Sequence, residues 1–152
     1  MDRILKHLTW AAALYIAFIL MWYEQFKLTG NAGSVELFTT LATWLHIPDY
    51  EKPFRLTVAV AEICAAVLVV IPATRILGAA LTLGLMSGAI FFHVASPLGI
   101  DPYDDGAVLF REACATWASA MFILFAFRHE ALALLKAAVN RVNDQGSAGQ
   151  GP

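Results

Sequence analysis

The 152-residue sequence is 59% hydrophobic and 14% charged, with a formal charge of -2. Soluble domains carry about 25% charged residues, and one of this size has no interior large enough to hide so much apolar surface, so the excess calls for lipid. No basic stripe is present to neutralise phosphates, which argues against nucleic acid as a partner.

Met1–His7 is short and polar, and Leu8–Tyr23 (LTWAAALYIAFILMWY) is apolar and almost uncharged. The run is too long for a signal-peptide core, and no small-residue cleavage site follows it. With its flanks it approaches the ~20 residues that cross hydrocarbon, so a first span is expected over 8–24, with Trp10 at one interface and Trp22 and Tyr23 at the other. The chain leaves through Glu24, Gln25, Phe26, Lys27 and Leu28 into TGNAGS, where Ser34 is placed to cap a helix over 35–47. Val35, Phe38, Leu41, Ala42 and Leu45 recur there at three- and four-residue spacing. That helix is too short to span and reads as amphipathic, lying on or dipping into the interface. Pro48 stops it, and Asp49–Pro53 reads as a polar link.

A second span is expected over 54–71, ended by Pro72 and carrying Glu62 near Cys64. After a tight turn at Ala73–Arg75 a third span runs over 76–95, with Ala80, Gly84 and Gly88 at four-residue intervals, a row that lets a neighbouring helix approach closely. The chain then turns through Pro97, Gly99 and Pro102, passes Asp101, Asp104 and Asp105, and enters a fourth span over 107–127. Residues 128–143 are expected to continue as a cytoplasmic helical extension, and the tail 146–152 (GSAGQGP) to be disordered. The expected fold is all-α: one membrane domain over 1–145, an integral four-helix bundle with a short outer interfacial helix between helices 1 and 2.

Arg3, Lys6, Arg75, Arg128, Lys136 and Arg141 fall on one side of this topology, and Lys27, Lys52, Arg55 and Arg111 on the other. The excess favours both termini in the cytoplasm. Ionisable residues then gather in the outer half of the bundle: Glu24 and Lys27 on the first helix, Glu62 on the second, His93 on the third, Arg111 and Glu112 on the fourth. Charge within a membrane is costly and faces protein or a water-filled cavity, paired. A polar pocket opening outward is expected, with Glu62 its deepest acid and the 35–47 helix lying over it.

Plainer roles stand beside these. Glu62 reads equally as half of a structural ion pair, with Arg111 or Lys27, and Glu24 and Lys27 as a local pair three residues apart. His93 reads as an interfacial histidine bonded to a loop carbonyl before it reads as a metal or cofactor ligand; haem would need an axial histidine and a large apolar slot. Asp101, Asp104 and Asp105 suit turns and a helix cap better than a metal site. Cys64 and Cys114 form no CxxC and no zinc-type spacing, and read as separate buried thiols rather than a redox pair.

Together these stretches resemble the DoxX family of small bacterial membrane proteins. The likeness runs from Tyr23 to about Phe125. It rests on YEQFKLTG at Tyr23–Gly30, on Arg55 and Glu62 within RLTVAVAEICAAVLVVIPATRILGAAL, on MSGAIFFH at Met86–His93 and on LGIDPYDDGAVLF at Leu98–Phe110. The sequence departs from the pattern at Ala107, where many relatives carry a second glycine after Gly106. The resemblance implies a four-helix bundle in the bacterial inner membrane and an association with redox systems, because the family's namesake belongs to a quinone-linked sulfur-oxidising complex. One expectation is therefore a subunit of a membrane oxidoreductase, working with a redox partner protein, in which Lys27, Glu62 and His93 hydrogen-bond a quinone oxygen. The alternative is a non-enzymatic accessory or small-solute binding protein whose buried charges are structural.

Overall fold

The computed structural model describes residues 3–133 and 136. The elements are α1 (Arg3–Thr29), α2 (Ala32–Trp44), a 3-10 turn (Pro48–Tyr50), α3 (Glu51–Val70), α4 (Arg75–Ala95) and α5 (Val108–Ala126), with no strand among the described residues. Four of them, α1, α3 with the turn before it, α4 and α5, are long and apolar enough to cross a membrane. Their outer faces carry Leu14 and Phe18 on α1, Val60 and Val67 on α3, Leu77, Phe91 and Val94 on α4, and Met121 and Phe125 on α5, all exposed. Such an apolar surface is stable against lipid, and the chain is a multi-pass membrane protein.

The helices form a ring in which α1 packs on α3 and α5, and α4 packs on the same two, while α1 and α4 face each other across the diagonal and barely touch. Ala13, Ile16 and Leu20 of α1, Ala65, Ala66 and Val69 of α3, Ala79 and Met86 of α4, and Ala113, Ala120 and Ile123 of α5 make the core. The preponderance of alanine lets the backbones close up where the hydrophobic effect between spans is absent. α3 and α4 come especially close at Gly78, where a Cβ would lie 2.3 Å from the Val69 nitrogen. The expected close-packing row is elsewhere and does not pack: at Gly84 and Gly88 a Cβ would meet nothing within 4 Å.

Several boundaries move. α1 begins at Arg3 and runs to Thr29, well past the expected 8–24. It ends in a Schellman turn, with Gly30 at φ 68 and the Asn31 N–H donating to the Phe26 carbonyl at 3.0 Å. α2 starts three residues before 35, because Asn31 rather than Ser34 caps it: the Asn31 Oδ1 accepts from the Gly33 N–H at 3.1 Å, and Ser34 is buried inside the helix. It stops at Trp44, where His46 turns left-handed at φ 63. The expected polar link over 49–53 is helical instead, since Pro48 and Pro53 sit in first turns that need no amide hydrogen from them. Residues 128–133 are helical after a turn at Phe127, and Lys136 is exposed; the rest of the extension and the tail 146–152 lie outside the described residues.

At the opposite end Arg75 is a second correction. Counted in the cytoplasmic basic set and expected in a tight turn, it is buried in the first turn of α4, with Nε donating to the Val69 carbonyl at 3.2 Å and the guanidinium 4.0 Å above the Trp10 ring. Placed at the first turn of α4, its side chain reaches the carbonyl end of α3 and an indole face, both of which attract a cation. Cys64 is exposed on the outer surface and Cys114 half-buried, and both are free, so the reading of two buried thiols fails for Cys64.

Candidate functional site

The site is at the end of the bundle where α1 finishes, α3 and α5 begin, and α2 lies across. Aromatic side chains hold α2 there: Phe38 stands edge-on to Phe54 of α3 at 5.3 Å, and Trp44 meets Phe92 of α4 at 6.1 Å. The segment 96–107 closes the same end. Asp101 accepts from the amides of Asp105 (3.0 Å) and Gly106 (3.2 Å), and Asp105 accepts from that of Val108 (3.0 Å). The acids therefore serve as a turn and a helix start. Hydrogen bonds from the amides of Ala107, then of Asp105 and Gly106, hold the Asp101 carboxyl below its ordinary value, partly opposed by burial. Tyr103 donates to the Gly33 carbonyl at 3.0 Å and ties this segment to α2; partial burial, and then the carboxylates of Glu36 and Asp105, push its hydroxyl above the usual range.

Beneath this cover lies a cavity of about 750 Å³. Its walls are chiefly apolar, with Leu20 and Phe26 from α1, Phe38 and Leu41 from α2, Val58 from α3 and Leu85 from α4 among them. This corrects the expectation of a polar pocket. Ala80, Gly84 and Gly88 line it on α4, so the missing side chains make room rather than a helix contact.

Polar groups enter the cavity wall from four helices. Lys27, near the end of α1, donates to Glu24 at 2.8 Å, one turn back on the same face, and to Glu62 of α3. Both carboxylates are buried, so a single ammonium serves two acids in low dielectric, where a partner is obligatory. The expected structural pair is thus the Lys27 one. Glu24 does not line the cavity but supports Lys27 from behind, and its Oε2 is buried without a partner among the described residues. On α5, Glu112 lines the cavity and accepts from the Tyr23 hydroxyl. Arg111 does not belong to the site: one residue is about 100° of helix rotation, which turns Arg111 outward, exposed, when Glu112 faces in. His93 also lines the cavity, and its Nδ1 lies 2.7 Å from the Gly99 carbonyl, the loop-carbonyl bond expected of it.

Two residues escaped the sequence reading. Arg55, assigned to the outer basic set, is buried; its Nε donates to Glu51 at 2.6 Å and its Nη1 to the Lys27 carbonyl. It binds the last turn of α1 to α3 and so fixes where the Lys27 side chain starts. The signal available was the i, i+4 spacing of Glu51 and Arg55, hidden by starting the helix at 54. Tyr23, taken for an interfacial aromatic, reaches across to α5, and nothing in its sequence position marks that. Among the described residues no group of three His, Cys, Asp or Glu side chains is placed to hold a metal ion. Comparison of the chain with family models, with curated proteins and with solved structures found no match.

Proposed function

We propose that this is a DoxX-like protein of the bacterial inner membrane that holds a lipid-soluble small molecule of the quinone class, as a subunit or accessory of a membrane redox system. The observation that carries the reading is the cavity of about 750 Å³, apolar on most of its walls, with Lys27, Glu62, Glu112, Tyr23 and His93 among its few polar groups. Ligand sites have this character, with much apolar lining and few placed polar groups. Ala107, where the resemblance expects glycine, has φ 59, a left-handed conformation that favours glycine. That also supports the likeness. A second reading, an accessory protein with structural charges, draws on the Lys27 ammonium being already engaged by Glu24 and Glu62.

The test is native mass spectrometry of the gently solubilised protein, with solvent extraction and an absorption spectrum of the same sample. A bound quinone that is lost in Glu62→Gln and His93→Asn is the expected result. A protein that is empty in native membranes as well as in detergent contradicts it. Both termini are assigned to the cytoplasm, which labelling can check in a background lacking Cys64 and Cys114. Asp104→Cys should react with an impermeant thiol reagent from outside, and Lys136→Cys only after permeabilisation; the reverse pattern inverts the topology.

A further inference from the structure

We infer that the ligand lies in the cavity as a lipid lies in one leaflet, with its head at the polar end and a hydrocarbon chain that leaves between α3 and α4 and runs along α4 toward Ala80. This rests on the reading of the cavity as a ligand site and adds the class of ligand, a long-chain amphiphile rather than a compact molecule.

The lining of the cavity wraps around α4. At about 100° of rotation per residue, Met86 is on the core face, Leu85 and Leu81 follow on the side where Gly78 meets Val69 of α3, and Gly84 and Ala80 lie roughly opposite Met86; all of them line the cavity. Gly84 and Ala80 are exposed, within about 60° of Leu77 and Phe91 on the lipid-facing surface. The cavity therefore leaves the bundle between α3 and α4. The two helices touch at Gly78, but about 9 Å further along α4 a Cβ on Gly84 would meet nothing within 4 Å among the described residues, and the same is true at Gly88. On the other side of α4 the Trp117 indole of α5 donates to the Ser87 hydroxyl at 3.0 Å and holds those helices together.

The ionisable groups of the lining, Lys27, Glu62 and His93 among them, gather toward the end that α2 covers. Ala80 is about 20 Å from His93 along α4, and one leaflet contributes about 15 Å of hydrocarbon. A head among the ionisable groups and a chain reaching Ala80 thus match the depth of a single leaflet. Such a chain meets apolar wall or bilayer hydrocarbon along its whole length and exposes no apolar surface to water. A compact ligand would leave the deep end of the cavity, and the gap beside it, to bilayer lipid.

The experiment uses the full chain in lipid nanodiscs and a dodecyl benzoquinone that carries a photoreactive diazirine at the chain end, illuminated with and without excess unlabelled dodecyl benzoquinone. Peptide mapping should place the competed label on α4 between Leu77 and Gly84, and Gly84→Leu, which fills the gap, should lose it. Competed label elsewhere, as on α2 or on 96–107, overturns the inference while leaving a ligand site at the polar end intact. A Gly84→Leu variant that keeps the label in full also overturns it. A phosphatidylcholine with the same labelled chain that marks 77–84 as strongly as the quinone probe shows a groove for any bilayer chain and overturns it as well. If no competed label appears anywhere, both this inference and the ligand-site reading fall.

Discussion

Replacing Lys27 by methionine should cost the bundle about 3–5 kcal/mol, the expected penalty for removing one partner of a buried ion pair. The loss is large because Lys27 serves two acids. Without it Glu24, which is 1% exposed, and Glu62, which is 6% exposed, remain together with no cation between them. Glu62→Gln should cost much less, since Lys27 and Glu24 still balance one to one and the amide can still accept from the ammonium. Combining Lys27→Met with Glu62→Gln should recover part of the single-variant loss, a coupling that reversible unfolding in detergent can measure as a double-variant cycle. If Lys27→Met is as mild as Glu62→Gln, Lys27 does not hold the cluster together.

The other large effect concerns three glycines of one helix. Gly78→Ala puts a methyl where the Val69 nitrogen and Cα are 2.3 and 2.7 Å away, and these are backbone atoms that cannot turn aside. Overpacking of this kind costs about 1–3 kcal/mol or more, and Gly78→Leu should prevent the α3–α4 hairpin from forming. Gly84→Ala and Gly88→Ala meet open space and should be neutral or slightly stabilising, as alanine is the better helix former by about 1 kcal/mol. Thermal unfolding of the three alanine variants side by side tests this, and equal stability of all three would contradict the packing at Gly78.

These glycines also show where the sequence was legible. Long apolar runs separated by Pro48, Pro72 and the Pro97–Pro102 turns give the spans directly, because hydrocarbon thickness and proline chemistry act locally along the chain. The gathering of Glu24, Lys27, Glu62, His93 and Glu112 at one end follows from the alternation of helix direction alone. Which of these residues face one another does not. A four-residue small-residue row looks the same whether a helix or a cavity lies against it, so Ala80, Gly84 and Gly88 pointed to packing that Gly78 in fact provides. Arg55 and Arg75 entered the sequence reading only as charges on the two sides of the membrane, yet each bonds a carbonyl at the end of a neighbouring helix. Such partners are set by tertiary packing and leave no local mark.

We propose the cavity as a binding site rather than a packing gap. The most direct measurement is the native mass spectrum of the protein released from its own membranes, compared with that of the Gly84→Leu/Gly88→Leu double variant. The double variant leaves Lys27, Glu62 and Glu112 untouched and fills space that both glycines line. A wild-type mass raised by an extractable apolar molecule, absent from a folded double variant, is the predicted result. A bound molecule retained equally by both proteins, or absent from both, would contradict the account.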